Sequence, residues 1–310
     1  MTFPTPDALI GTLIRFAWLA SVVLAIGAVI FRELVLPRVH APTWPEGPRR
    51  LAVRAAALGW SAALLALAAL AGRLALQVQE LRIPDVPVDV ELLQMLVWRT
   101  TWGKLWLVQV ALAVAAWRAF AGARAGYRVA WTVAAACAAG LAVTSALGSH
   151  AAGVESWGTV AVAADAVHAL AAGGWAGGLA TLFMAALWPR TGTPDDPAAL
   201  LPRIVHAFSP VALTAAGILA LTGAVNAWLQ FGSLSDLWLT RWGVTLLVKL
   251  GFVGLAAGIG AWNWRRIAPR LGDPDAAHLL RRSAWWELTA MTLALLATAS
   301  LVATSLPSAE

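Results

Sequence analysis

Long, almost uninterrupted apolar stretches dominate the pattern of hydrophobic and polar positions along the chain. A helix that crosses a bilayer needs about 20 mostly apolar residues, and eight stretches come close to or exceed that length. The pattern therefore predicts an all-α membrane protein with eight transmembrane helices. The stretches cover about 9–31, 51–76, 104–121, 127–148, 158–188, 207–230, 242–264 and 283–306.

The composition supports lipid as the solvent for most of these residues. Hydrophobic residues make up 60% of the chain and charged residues 12%, against roughly 45–50% and about 25% in ordinary globular domains. The first apolar stretch has no basic residue before Arg15 and no small-residue cleavage site behind it. We therefore expect a retained span and not a signal peptide. The single cysteine, Cys137, excludes an intramolecular disulfide.

Basic residues concentrate in the odd-numbered loops between the predicted spans, whereas the even-numbered loops are mainly acidic. Cytoplasmic loops retain Lys and Arg, so both termini are predicted to be outside, in the periplasm if this is a bacterial inner membrane. The net charge of +6 is then a topology signal. No soluble basic face with aromatic readers supports nucleic-acid binding, and the lipid bilayer is the expected partner. The odd loops carry Arg32, Arg38, Arg49, Arg50, Arg54, Arg118, Arg124, Arg128, Arg190, Arg203, Arg265, Arg266, Arg270, Arg281 and Arg282.

Two similar segments lie four helices apart. Span three begins with Thr100–Gly103 (TTWG), and span seven begins with Thr240–Gly243 (TRWG). An even number of helices separates them, so they share an orientation in the membrane, as in parallel repeats. We therefore predict a tandem 4+4 repeat with halves 1–157 and 158–310. Chance similarity among helices rich in Ala, Leu and Trp is the alternative.

Four ionisable side chains from three predicted spans share one layer in the outer half of the bilayer, where a charge is costly and a functional site is the default interpretation. Asp165 and His168 are three residues apart and share one face of span five. The rise of a helix places Lys249 and Arg15 at a similar depth, in the outer half of the bilayer. Two interpretations remain open at this point: an ion-pair network that holds the helices together, and a polar cavity that admits a small ion or a proton.

Asp and His side chains would suit a borderline divalent metal such as copper(II) or zinc. His150, at the outer end of span four, is a third candidate metal ligand. It meets His168, roughly 15 Å deeper, only if span five starts later or the loop at 149–157 dips inward. The pair of Asp165 and His168 could equally form a proton relay. A copper(I) relay would want methionines and thiolates, and no Met-x-x-Met pair occurs.

Other polar or small residues within the spans suggest helix packing or a lining of the cavity. The stretch Gly173–Gly178 holds two overlapping G-x-x-x-G pairs, which let another helix approach closely. Trp175 would form the floor of the cavity or fill space at a packing site. Asn226 would line the same cavity or bond a neighbouring helix. Glu33 and Glu287 fall near inner ends among arginines, where surface pairing is expected.

The second half of the chain resembles the copper-resistance protein D (CopD) family of bacterial inner-membrane proteins, over about 158–306, and the first half resembles it by general plan. The order and spacing of the motifs carry this resemblance. The motifs are His150-Ala151-Ala152, Asp165-x-x-His168, Trp175-x-Gly177-Gly178, Phe208-Ser209-Pro210, Leu221-Thr222-Gly223, Thr240-x-Trp242-Gly243, Lys249, Asn263 with Arg265, Glu287, and Thr304-Ser305-Leu306-Pro307.

The resemblance implies an eight-helix protein of copper handling that moves copper inward in concert with a periplasmic copper-binding protein. It implies Asp165 and His168 as metal-facing residues, with His150 next and Lys249 as a charged partner. No catalytic residue is expected. One alternative is a cytochrome-like bundle with haem b, which needs facing histidines and has only His150 and His168 for them. Another is a non-transporting assembly factor whose charged layer only holds helices together.

Overall fold

The computed structural model describes residues 6–39, 46–81, 89–149, 157–188, 200–230, 233, 235–271 and 273–303. Within these ranges the chain is helical without strands, and eight helices are long and apolar enough to cross a membrane. The predicted fold class and helix number are thus confirmed. The helices are α1 (Asp7–Arg38), α2 (Glu46–Glu80), α3 (Thr101–Arg124), α4 (Arg128–Leu147), α5 (Gly158–Leu187), α6 (Leu201–Gln230), α7 (Arg241–Arg270) and α8 (Asp275–Leu301).

Several helices extend beyond the apolar stretches that predicted them. Helix α2 has 35 residues, about 52 Å at the usual rise, whereas the hydrocarbon core is about 30 Å thick. Helix α8 begins at Asp275 and not near 283. Arginine is a good helix former, so the basic flanks continue the helix after the apolar pattern ends. Hydropathy therefore located the spans correctly but placed several helix ends too close to the apolar core.

Helix α1 lies at the centre of the bundle, where it packs against α2, α4, α5 and α8. Consecutive helices also pack on one another, from α1 through α6, and α7 packs mainly on α8. Helix α5 is the most enclosed, with 72% of its most apolar stretch buried, against 11% for α7. We call the end of the bundle where α1 begins the outer end, following the predicted orientation.

The glycine-rich part of α5 packs directly on the backbone of α1. A Cβ on Gly177 would overlap the carbonyl oxygen of Val23, and a Cβ on Gly27 would overlap the backbone of Gly177. Gly173 lies against Ile26 in the same interface, while Gly178 faces Phe208 of α6. The close approach predicted from the G-x-x-x-G pairs is confirmed, and α1 is the helix that approaches. This contact fixes the position of α5, which carries Asp165 and His168.

Helices α3 and α7 begin with the same capping structure, each after a short helix at the outer end. The backbone N–H of Gly103 donates to Thr100 Oγ1 at 2.9 Å, and that of Gly243 donates to Thr240 Oγ1 at 3.0 Å. Both threonines are N-caps, which satisfy a donor left free at a helix start. A Cβ on either glycine would overlap the preceding turn. The shared Thr-x-x-Gly pattern thus has one structural cause at both sites.

Candidate functional site

A cavity of about 550 Å³ lies mainly in the outer half of the bundle, and all eight helices contribute residues to its wall. The four ionisable side chains expected in one layer, Arg15, Asp165, His168 and Lys249, all line this cavity. They come from α1, α5 and α7. The structure therefore brings these four residues together around one open space.

Asp165 is held by a hydroxyl and not by a direct ion pair. Ser149 Oγ, just beyond the end of α4, donates to Asp165 Oδ2 at 3.0 Å. Lys249 interacts electrostatically with this carboxylate. Among the described residues, however, no basic side-chain nitrogen lies within 4.0 Å of it, because the ion pairs found there involve other residues. The direct pair of Asp165 with Lys249 or Arg15 that the network interpretation requires is not formed.

The hydrogen bonds of His168 favour one tautomer of its imidazole ring. Thr222 Oγ1 lies 3.0 Å from His168 Nδ1, and the same hydroxyl donates to the carbonyl oxygen of Ile218 at 2.7 Å. Because the hydroxyl hydrogen is directed at the Ile218 carbonyl, the geometry favours Thr222 as the acceptor and a proton on Nδ1. The carbonyl of Leu219 lies 3.3 Å from this hydroxyl and also interacts with the imidazole. In this tautomer Nε2 carries the lone pair that can bind a metal or a proton.

Arg73 of α2 is a cavity-lining residue that the sequence analysis missed. Its Nη1 donates to Gln109 Oε1 at 2.9 Å, and its guanidinium lies 5.2 Å from the centroid of the Trp18 ring. It also interacts with the like charge of Arg15. The sequence offered a signal for it, because Arg73 lies inside the predicted span 51–76, where a charged side chain is costly, although it is closer to the outer end of its span than Arg15 is.

Trp175 lines the cavity and links it to a second polar cluster in the inner half. The indole Nε1 donates to Glu287 Oε1 at 3.4 Å, and Asn263 Nδ2 donates to Glu287 Oε2 at 2.9 Å. Glu287 is only 4% exposed, so the expectation that it pairs at the surface is wrong. Because α8 begins at Asp275, Glu287 lies three turns inside the helix and faces its neighbours. Glu33, in contrast, is exposed and lies 4.0 Å from Arg32, as expected.

The second polar cluster contains a buried acceptor without a donor. Asn263 Oδ1 has no hydrogen-bond partner, although Asn263 is only 8% exposed. A Cβ on Gly260 would lie 2.9 Å from Glu287 Oε1, so α7 approaches the carboxyl group closely at a residue without a side chain. The inner half of the bundle therefore holds a buried polar cluster of its own.

One predicted cavity residue does not line the cavity, and one candidate ligand lies outside the described residues. Asn226 is partly buried on α6 but is not among the residues that line it, and α6 contributes Leu219 instead. His150 lies outside the described residues. Among the residues that the structure describes, no group of three His, Cys, Asp or Glu side chains could hold a metal ion. The described part of the cavity thus offers two donors for a metal, Asp165 and the free nitrogen of His168.

The other two described histidines lie away from the cavity. His206 and His278 are exposed, and His278 Nδ1 is 2.8 Å from Arg281 Nη2. Both belong to the inner ends of their helices, in α6 and α8. Within the described ranges, no second histidine therefore faces His168, as a haem with two axial histidines would need.

Comparison with known proteins gives the same family for both halves. The model of "Copper resistance protein D" matches residues 202–301, and that of "Copper resistance protein D-like, N-terminal domain" matches residues 6–161. The first half, where the resemblance rested on general plan alone, thus also matches a family model. No solved structure matches the chain.

One curated relative is the "Copper transport protein CutJ" of Bacillus subtilis (strain 168). It is 32% identical to this chain over 213 residues, which are 67% of this chain and 37% of the relative. The chain therefore matches little more than a third of the length of that relative. Taken with the family models and the eight apolar helices, these similarities make the chain a multi-pass membrane protein that belongs to the copper resistance protein D family.

Proposed function

We propose that this protein moves copper across the bacterial inner membrane, in copper uptake or resistance, and that the outer cavity receives the metal. The observation that carries this proposal is that Asp165 and His168 line one cavity, with Nδ1 of the imidazole held by Thr222. Family membership and the similarity to a copper transport protein point to copper as the cargo. The proposed activity is transport and not catalysis.

In this proposal copper(II) binds to an imidazole nitrogen and a carboxylate oxygen, ligands that this ion accepts readily. Thr222 orients the imidazole from the far side, as outer-shell partners of metal ligands commonly do. His150 is the proposed third ligand, and water completes the coordination. Lys249 offsets the charge of Asp165 while the cavity is empty, so the carboxylate needs no direct ion pair before the metal arrives.

The proposal includes an orientation for the bundle. Both termini would lie in the periplasm, so that the cavity takes copper from that side, with a periplasmic copper-binding protein as the donor. The two halves, 1–157 and 158–310, would form a tandem parallel repeat. The matching caps at Thr100 and Thr240 support the repeat, and the arginines at the inner ends support the orientation.

Copper binding by the purified protein tests the proposed cavity site. We expect Asp165→Asn and His168→Ala each to lower the copper bound per chain, and the double variant to abolish binding. His206→Ala and His278→Ala are matched controls, because both histidines are exposed at the inner ends, and they should bind copper as the unchanged protein does. Elemental analysis gives the stoichiometry. Full copper binding by the double variant would refute the site.

The same samples separate the two other functions. A Soret band in the visible spectrum would support a cytochrome-like bundle with haem b, and its absence together with bound copper would support transport. If the charged layer only holds helices together in an assembly factor, Asp165→Asn should lower thermal stability while copper handling stays unchanged.

A further inference from the structure

Two arginines line the outer cavity without an acidic partner among the described residues. They are Arg15 of α1 and Arg73 of α2, and the Arg73 guanidinium lies over Trp18, about one turn along α1 from Arg15. In the described part of the chain, no carboxylate oxygen lies within 4.0 Å of either guanidinium. Charges in the bilayer interior are costly and normally pair with an opposite charge. This pair of arginines therefore lacks the partner that its position demands.

Arg73 is fixed in place by neutral groups. Gln109 Oε1 accepts from its Nη1 at 2.9 Å, and Gln109 is itself 2% exposed and donates to the carbonyl of Thr144 at 3.1 Å. The Trp18 ring lies below the guanidinium at 5.2 Å. These contacts orient the side chain but cannot neutralise its charge. The hydrogen bond to Gln109 also uses one of the five N–H donors of arginine.

The charges around the cavity do not balance. Among the described residues three cationic side chains line it, Arg15, Arg73 and Lys249, against two carboxylates, Asp165 and Glu80, which leaves one net positive charge in that part of the wall. Lys249 is the cation that interacts with Asp165. Glu80 is exposed at the outer end of α2 and lies beyond 4.0 Å of both arginines. The uncompensated charge therefore belongs to the arginine pair.

We propose that Arg15 and Arg73 form a binding site for an oxyanion of the carboxylate or phosphate class. The guanidinium fork matches the planar oxygen pairs of such anions and binds them with charge-assisted hydrogen bonds. A cavity of about 550 Å³ is of the size that holds small ligands, and Arg73 is already oriented before the anion arrives. The anion is either a free solute from the outer side or the phosphate of a lipid headgroup.

Calorimetry on copper-free protein in an uncharged detergent tests whether the two arginines bind a free anionic solute. With inorganic phosphate and citrate as probes, we expect saturable binding that is roughly tenfold or more weaker in Arg15→Gln and Arg73→Gln, because each loses charge-assisted bonds. Arg73→Lys keeps the charge but not the fork and should bind with intermediate strength. Arg99→Gln is the matched control, since Arg99 is exposed near the outer end and does not line the cavity.

A second experiment tests whether the bound anion is the phosphate of a lipid headgroup. In nanodiscs of phosphatidylcholine with or without phosphatidylglycerol, a bound headgroup should make the thermal stability of the unchanged protein depend on the anionic lipid. That dependence should be lost in Arg73→Gln and kept in Arg99→Gln. The site is refuted if neither the solutes nor the anionic lipid distinguish the two cavity variants from Arg99→Gln. Because no copper is present, this outcome leaves the proposed copper transport untouched.

Discussion

Glu287 is a carboxyl group buried between three helices without a cation beside it. Its two oxygens accept from the indole of Trp175 at 3.4 Å and from the amide of Asn263 at 2.9 Å. Within the described residues no basic nitrogen lies within 4.0 Å of it. A buried acceptor, Asn263 Oδ1, lies unused on the same side chain that donates to Glu287. The cluster therefore depends on hydrogen bonds and not on an ion pair.

Replacing Glu287 tests whether its hydrogen bonds or its charge matter. Glu287→Gln should unfold at about the temperature of the unchanged protein, because the new amide can donate to Asn263 Oδ1 once the Asn263 amide flips, while the Gln oxygen accepts from Trp175. Glu287→Ala should destabilise by about 2–4 kcal/mol, since it opens a cavity and leaves donors unpaired. Thermal unfolding in detergent measures both, with the exposed Glu33→Ala as control. Equal losses for Gln and Ala would show that the negative charge itself is required.

Simple helix geometry predicts some cavity residues and fails for others. Asp165 and His168 share a face because they are three residues apart on one helix, and the structure places both at the cavity. Arg73 was missed although it lies inside a predicted span. The prediction that Glu287 lies near the surface was wrong because hydropathy placed the start of the span near 283, whereas the helix already begins at Asp275. The hydroxyl of Thr222 that orients His168 comes from another helix, which one sequence does not reveal.

At the level of helices, the contact between α1 and α5 sets the distance between two helices that line the cavity, and so contributes to its shape. We expect Gly177→Ala to destabilise the protein by about 1–3 kcal/mol, as overpacking does, since the added Cβ would overlap the carbonyl of Val23. Gly254→Ala on α7 is the control, because a Cβ there meets nothing within 4 Å. It should be neutral or stabilising by up to about 1 kcal/mol.

Thermal unfolding followed by size-exclusion chromatography compares the two glycine variants. Equal stability of Gly177→Ala and Gly254→Ala would mean that α1 and α5 do not meet at this glycine. The sequence indicated that some helix approaches the G-x-x-x-G pairs, but the identity of that helix depends on the arrangement of all eight. Likewise, the Thr-x-x-Gly pattern marks the start of α3 and α7, whereas the short helix that makes each glycine necessary is visible only in the structure.

At the scale of the whole molecule, several of the described inner-end arginines lie against indole rings. Arg32 lies 5.9 Å from the Trp131 ring centroid, Arg124 lies 5.4 Å from that of Trp60, and Arg266 lies 5.8 Å from that of Trp262. Arginine over an indole face is stabilised by the ring quadrupole, and both side chains favour the membrane interface. These arginines belong to the odd-numbered loops, which gather the positive charge of the chain at one end of the bundle. This charge bias is the basis for the predicted orientation of the bundle.

Accessibility of introduced cysteines tests that orientation. Cys137 is buried, so Cys137→Ala provides a background without a reactive thiol. Val90→Cys near the outer end and Tyr127→Cys at the inner end are matched in exposure, at 68% and 66%. In intact spheroplasts, a membrane-impermeant maleimide should label Val90→Cys alone, and both should react after the membrane is opened. The reverse labelling would place the cavity on the cytoplasmic side and the arginine-rich loops in the periplasm, against the usual charge bias. It would refute the proposal that the cavity takes up copper from the periplasm.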